Sequence, residues 1–292
     1  MLEGKRIALI GGDKRYIQAI HHLANKNADV FIVGFSDINF EHSNIHQKSV
    51  HAIDFSQIDY IVLPILGLDE HGCVELNYPA GKAIITKEMI QRTPEHCVIY
   101  TGTANDTLKN LAKNCNRKLI ILFERDDMAI ANSIPTAEAT LQIAMENTDY
   151  TIHGANVLIT GFGRVGITMA RLFHQIGANV LVAARKQADF ARIREMNMQP
   201  ISLTKLIEVV EDTNICINTI PHLVITKDII HVMNKNALII DVASKPGGID
   251  FDAAKTAGIT TFHALGLPGK FAPKTAGNII GHTIAELITE NE

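Results

Sequence analysis

The sequence predicts an α/β protein with two doubly wound parallel sheets, and three observations carry that prediction. Short β-branched runs alternate with longer mixed segments from one end of the chain to the other. The alternation restarts after Asn132-Ser-Ile-Pro135 and His153-Gly154, which gives two series of similar size. Gly161-Phe-Gly163-Arg-Val-Gly166 stands directly after the first strand of the second series. Repeated strand–helix units lay strands in parallel, because each return needs a crossover. The expected fold class is therefore α/β: two Rossmann-like doubly wound parallel-sheet domains joined by two long helices. A ligand cleft is expected between them, at the carboxyl ends of the sheets.

In the first series Arg6–Ile10, Asp29–Val33, Tyr60–Pro64, Cys97–Tyr100 and Leu119–Leu122 read as strands. Each is short, apolar and bounded by turn residues. Helical patterns occupy Tyr16–Asn25, Lys87–Arg92 and Thr107–Lys113. Asn132-Ser-Ile-Pro135 interrupts the pattern, and a long amphipathic helix is expected from Thr136 to Asn147, capped by Ser133 or Thr136. The second series offers strands at Asn156–Thr160, Asn179–Ala183, Asn214–Asn218, Ala237–Asp241 and Ile259–Phe262. Its helices are expected at Val165–Ile176, Gln187–Met196, Ser202–Val210, Thr226–Met233 and Asp252–Thr256. A last helix, Ala276–Thr289, comes after the second sheet is complete and is expected to return to the first domain. The expected division is a substrate domain at 1–132 completed by 276–292, a linking helix at 133–150, and a dinucleotide domain at 151–275.

Bulk properties exclude several classes. A chain of 292 residues is long for one core and comfortable for two. A formal net charge of −4 gives no electrostatic case for nucleic acid or an anionic membrane. No apolar run approaches the roughly 20 residues that a spanning helix needs. The opening MLEGKRIALIGG enters a strand pattern without a signal-peptide profile, so a cytoplasmic location is expected. Cys73, Cys97, Cys115 and Cys216 lack a Cys-x-x-Cys spacing and read as reduced thiols. No metal site is expected.

The glycine loop carries the chemistry. Gly161 permits a tight turn, Gly163 lets backbone N–H groups approach a pyrophosphate, and Gly166 lets the helix pack close to the strand. Phe162, Arg164 and Val165 complete the loop. The following helix offers its N-terminal amides and partial positive charge to an anion. The next strand, Asn179–Ala184, ends in Arg185-Lys186. An NAD site usually carries an acidic residue there, for the ribose 2′-hydroxyl; two cations match a 2′-phosphate instead. The bland reading of the pair is a solvated basic turn. The pattern favours NADP as cofactor.

Later strand ends supply further candidates. The nicotinamide half is expected near Thr219, Pro221, Val242 and Ala243, at the ends of the fourth and fifth strands. His222 and His263 are candidate acid/base groups, since an imidazole titrates near neutrality. With 13 histidines in the chain, a structural role competes for each. Lys274 is a third catalytic candidate, and Ser244 and Lys245 are candidate substrate contacts; a surface lysine is the bland alternative. Residues 263–277 read as a long Gly/Pro-punctuated functional loop leading to a helix. In the first domain Gly11-Gly12-Asp13-Lys14-Arg15 looks like a degenerate phosphate loop without its third glycine. It reads as an anion-receiving turn for a substrate carboxylate. Gly67 and Thr103 end strands expected to face the same cleft.

These motifs together resemble the dipicolinate synthase A-subunit family of spore-forming bacteria. The similarity rests on Gly11-Gly-Asp-x-Arg15, Pro64-x-x-Gly67, Asn132-x-Ile-Pro-Thr136-Ala-Glu138, Gly161-Phe-Gly-Arg-Val-Gly166, Asp241-Val-Ala-Ser244-x-Pro-Gly-Gly248 and Gly266-Leu-Pro-Gly-Lys270-x-Ala-Pro-Lys274-Thr-Ala-Gly277. The resemblance implies NADP-dependent oxidation of a dihydrodipicolinate, derived from 4-hydroxytetrahydrodipicolinate, to dipicolinate during sporulation. It implies, as partner, the flavoprotein-like B subunit of dipicolinate synthase. It also implies the mother-cell cytoplasm as location, and a homo-oligomer is expected. Two alternatives stay open: an NADP-dependent 2-hydroxyacid dehydrogenase, and a non-catalytic NADP-binding partner. The first usually shows Arg-Gly-x-x-Val-Asp after the fifth strand, where this chain has Asp241-Val-Ala-Ser-Lys-Pro-Gly-Gly.

Overall fold

The chain enters on β1 (Arg6–Ile10), crosses through α1 (Lys14–Asn25), returns as β2 (Asp29–Val33) and adds β3 (Ile45–Gln47) and β4 (Tyr60–Val62). A hairpin, β5 (Cys73–Asn77) and β6 (Ala80–Ile84), precedes α2 (Lys87–Arg92), β7 (Val98–Thr101), α3 (Asp106–Asn114) and β8 (Lys118–Ile121). The computed structural model describes residues 1–290. Apart from the hairpin, these strands form one parallel sheet in the order β3-β2-β1-β4-β7-β8. Ile7, Ala8, Leu9 and Ile10 are fully buried, as a central strand covered on both faces requires. Asp13, Thr86 and Asn105 cap α1, α2 and α3 with side-chain oxygens.

Next comes α4 (Asp126–Glu146), followed by β9 (Asn156–Thr160), α5 (Arg164–Gln175), β10 (Asn179–Ala184), α6 (Gln187–Glu195) and β11 (Gln199–Ser202). After a 3-10 segment, Leu203–Glu208, the chain continues with β12 (Ile215–Asn218), α7 (Lys227–Val232), β13 (Leu238–Asp241), α8 (Phe251–Ala257), β14 (Thr260–His263) and α9 (Leu267–Phe271). The second parallel sheet has the order β11-β10-β9-β12-β13-β14. Both sheets therefore reverse direction beside their first strand, between β1 and β4 and between β9 and β12. Left-handed residues end five helices: Asn27 after α1, Asn116 after α3, Gly177 after α5, Asn197 after α6 and Gly258 after α8.

The last element is α10 (Pro273–Glu290). One compact unit comprises Met1–Ala129 with the chain from Pro273 onward, and the other comprises Ile130–Ala272. Within the first unit α10 lies along α1. Gly277 sits against the Arg15 carbonyl and Gln18, and one turn on Gly281 sits against Ala19 and His22. The two contacts advance together, so α1 and α10 run parallel with their N-terminal turns side by side. Residues 291 and 292, the end of the expected 276–292 segment, lie outside the described residues.

Several expected boundaries need correction. The long helix begins at Asp126, not Thr136, and Pro135 lies inside it. Ser133 and Thr136 are consequently not caps. Their hydroxyls donate back to the carbonyls of Ile130 (2.6 Å) and Asn132 (2.9 Å), in the turn where proline interrupts the backbone ladder. The expected helix at Ser202–Val210 is the shorter 3-10 segment. The expected loop at 263–277 is largely helical, because α9 and the first turn of α10 occupy it.

Candidate functional site

In the second unit the polypeptide leaves β9 at Thr160 and turns through Gly161, whose φ is +100°. A Cβ at Gly161 would run into Thr219 Oγ1, and one at Gly166 into the Gly161 carbonyl oxygen. These two glycines serve the turn and the helix–strand approach. Gly163 differs: it is exposed, and no atom lies within 4 Å of where its Cβ would stand. It precedes α5 and provides no side-chain cap. The first-turn amides of α5 thus face open space without a side-chain acceptor, the arrangement that receives a phosphate. Phe162 and Val165 pack on the core and fix the loop from below, while Arg164 is exposed.

Arg185 and Lys186 follow β10 directly and both are exposed. Lys186 precedes α6 and also leaves that helix without a side-chain cap. The carboxylate next in sequence, Asp189, sits in the first turn of α6. The strand end therefore presents two cations where an acidic residue would mark NAD.

A buried polar network joins the ends of β9, β12 and β13. Thr160, Asn218 and Asp241 are each fully buried, and each is the last residue of its strand, directly after buried apolar residues. Thr160 Oγ1 lies 2.6 Å from Asn218 Oδ1, which also accepts from the Ile220 amide at 3.1 Å. Asn218 Nδ2 donates to the Ile220 carbonyl at 2.9 Å and to Asp241 Oδ1 at 2.8 Å. Asp241 accepts further from the Ala243 amide (3.0 Å) and the Gly248 amide (2.8 Å). Thr219 Oγ1 donates to the Thr160 carbonyl at 2.8 Å and braces Gly161. The phosphate loop, the 219–222 turn and the 242–248 loop are thus one connected structure. Asn218 and Asp241 were not among the expected site residues. Their signal in the sequence is a polar residue closing each of three buried strands.

The remaining candidates of this unit gather at the same end. Pro221 and His222 are exposed; Val242 is half-buried and Ala243 buried. Ser244 and Lys245 form the exposed tip of the 242–248 loop. A Cβ at Gly248 would stand 2.7 Å from the His222 carbonyl oxygen, and one at Gly247 would stand 3.6 Å from His263 Nε2. The two histidines therefore flank the Gly247–Gly248 pair, His222 by its backbone and His263 by its ring. The exposed His263 ring also lies on Phe251, with centroids 5.3 Å apart.

Lys274 belongs to the first unit, in the first turn of α10, beside the α1 turn that carries Lys14 and Arg15. There the expected anion-receiving turn is already filled. Asp13 caps α1 by accepting from the Arg15 amide at 3.0 Å, and the Arg15 guanidinium grips the same carboxylate, Nε donating to Oδ1 at 2.9 Å. Burial pushes the Asp13 carboxyl up, but the Arg15 hydrogen bonds and charge outweigh it and hold the group below the usual range. Arg15 is thus paired with Asp13; Lys14 is exposed. The hairpin closes the turn from above. Leu76 bridges to Gly12, Asn77 Nδ2 donates to the Gly12 carbonyl at 2.9 Å, and a Cβ at Gly11 would stand 2.5 Å from the Glu75 carbonyl oxygen. Gly67 (φ +66°) and Thr103 brace each other's loops. Thr103 donates to the Ile65 carbonyl through its amide at 2.6 Å and its hydroxyl at 3.0 Å.

One open phosphate loop on a doubly wound sheet defines a dinucleotide-binding protein, and comparison with known proteins agrees. Residues 132–265 match the model of the NAD-binding domain of S-adenosyl-L-homocysteine hydrolase. Residues 6–123 match that of the N-terminal domain of the dipicolinate synthase A subunit. Over 290 residues the chain is 44% identical to the dipicolinate synthase A subunit of Bacillus subtilis (strain 168), covering 99% of this chain and 98% of the relative. Two solved structures are similar to it. One is the dipicolinate synthase A subunit from Bacillus halodurans (44% identity, TM-score 0.95, 98% of each chain). The other is its counterpart from Bacillus subtilis (44% identity, TM-score 0.96, 99% of this chain and 97% of that one). The chain belongs to the dipicolinate synthase A-subunit family. No helix among the described residues is long and apolar enough to cross a membrane.

Proposed function

We propose that this protein oxidises a dihydrodipicolinate, formed by loss of water from 4-hydroxytetrahydrodipicolinate, to dipicolinate with NADP⁺. The observation that carries the proposal is the pairing of an open α5 N-terminus with two cations at the end of β10, in a chain of this family. Bound NADP⁺ supplies the acceptor for the hydride that leaves the substrate ring. The first-turn amides of α5 would hold the pyrophosphate, and Arg185 with Lys186 would hold the 2′-phosphate. His222 or His263, beside Gly247–Gly248, takes the ring proton released with the hydride. Forming an aromatic ring makes the oxidation favourable, so orientation and one base suffice.

A planar dicarboxylate asks for cations at two points. The first unit offers Lys14 and Lys274, on adjacent N-terminal turns. The second offers Lys245 with Ser244 at an exposed loop tip. Gly67 and Thr103 shape the loops around the substrate domain, and Asp13 with Arg15 holds the α1 turn. The domain reading is a substrate domain at 1–132 with the C-terminal helix, and an NADP domain at 151–275. The A-subunit name of the relatives supports action beside a flavoprotein-like B subunit, in the mother-cell cytoplasm of a sporulating bacterium. A homo-oligomer is part of the same reading.

The test is purified protein with NADP⁺ and 4-hydroxytetrahydrodipicolinate, with and without the B subunit, followed by dipicolinate absorbance. Dipicolinate formed in at least one of the two conditions is the expected result. No dipicolinate under either condition overturns the proposal, and formation by the B subunit with NADP⁺ in the absence of this protein moves the chemistry to the partner.

A further inference from the structure

Asp241 is a carboxylate with no access to solvent, and among the described residues no cation forms an ion pair with it. Both of its oxygens accept: Oδ1 from Asn218 Nδ2 and the Ala243 amide, Oδ2 from the Gly248 amide. Neither oxygen faces an acceptor that a protonated acid would need, so this is the bonding of an anion held by neutral donors. Its charge reaches a neighbouring group. The fully buried Cys216 thiol is pushed up to about 12, by burial first and by Asp241 second.

The position of this charge follows from the nucleotide site. Arg185 and Lys186 would hold the adenosine half at the end of β10, and the α5 N-terminus would hold the pyrophosphate at the end of β9. On this strand order the nicotinamide half would lie on the other side of the switch point, toward the ends of β12 and β13. Asp241 ends β13, and its hydrogen bonds set the backbone of the loops at 219–222 and 242–248 that frame that region.

Oxidised nicotinamide is a cation and reduced nicotinamide is neutral. A buried anion on the nicotinamide side of the site would therefore act on one redox form and not on the other, and low polarisability around it would strengthen the effect. We propose that Asp241 is a positioning residue with an electrostatic role: it sets the site's preference for the oxidised over the reduced cofactor. The inference rests on the dinucleotide reading of the second unit, and not on the identity of the substrate.

The experiment titrates the full-length protein with NADP⁺ and with NADPH and compares the two dissociation constants. In Asp241→Asn the ratio is expected to move by roughly tenfold toward NADPH, the effect of removing one buried charge on that side of the site. Thr160→Val loosens the same network and keeps the charge, so it should weaken both forms equally and leave the ratio in place. An unchanged ratio in Asp241→Asn, or an equal shift in Thr160→Val, overturns the proposal. If Asp241→Asn does not fold, the wild type decides: it should bind NADP⁺ at least as tightly as NADPH, and a tenfold preference for NADPH contradicts the role. Failure of either cofactor to bind the wild type at all would instead reject the dinucleotide site itself.

Discussion

The two units share one strand order and each follows its first strand with glycines and a helix, yet only one of the two turns is open. In the first unit Gly11 and Gly12 lie under the β5–β6 hairpin, and Asp13 occupies the start of α1 with its own carboxylate. In the second unit Gly163 opens onto free space, and no side chain caps α5. The same backbone plan thus makes a closed structural turn once and an anion site once. The difference lies in what fills the volume at the helix N-terminus, not in the fold.

Substitutions at the two turns should separate stability from binding. Gly166→Val drives a branched side chain into the Gly161 carbonyl and should abolish dinucleotide binding, by about 100-fold or more, as read by isothermal titration. Gly163→Ala should fold as the wild type does, within about 0.5 kcal/mol, because its Cβ enters open space; affinity for the dinucleotide should still fall about tenfold. Gly11→Ala is the mirror case. It has φ +70° and a backbone carbonyl in the way, so stability should drop by about 2–3 kcal/mol in denaturant titration while cofactor affinity stays unchanged. Asp13→Ala removes the α1 cap and should cost about 1 kcal/mol, again without touching the cofactor.

The smallest expected effect is a pH dependence confined to the first unit. His22 on α1 meets His282 of α10 edge-to-face at 5.9 Å, with Lys26 just past the end of α1. Burial, then His282 and Lys26, push the His22 imidazole below its ordinary value. The folded protein then binds fewer protons than the unfolded chain. Its stability is complete above about pH 6.5 and declines as pH falls below that value toward the lowered one. His22→Asn should flatten the fall of melting temperature between pH 7 and pH 5. An unchanged slope would show that His22 does not contribute to it.

What the sequence discloses follows the same division. The second unit is legible because its signals are local: an apolar strand, three spaced glycines, a helix, and a strand ending in Arg185-Lys186. Strands β1, β2 and β9 stand at the expected residues, since buried central strands are nearly continuous apolar runs. Edge elements are harder to see. β3 and β11 are only partly buried, and β11 contains Pro200, which an edge strand tolerates but which hides the pattern. The hairpin that closes the first turn reads as loop, with exposed Ala80, Gly81 and Lys82 in β6. Pro135 looks like a helix stop, and its accommodation depends on Ser133 and Thr136 hydroxyls whose direction no pattern gives. The network through Asn218 and Asp241 is a tertiary property, because it joins residues 58 and 23 positions apart.

The central claim is that the open turn and the two cations after it bind NADP(H) in preference to NAD(H). Dissociation constants of NADP⁺ and NAD⁺ measured side by side for the wild type and Arg185→Asp test it most directly. The wild type should favour NADP⁺ by roughly tenfold or more, and the substitution should weaken NADP⁺ far more than NAD⁺. Equal affinity of the wild type for both cofactors, or equal loss of both in Arg185→Asp, would contradict it.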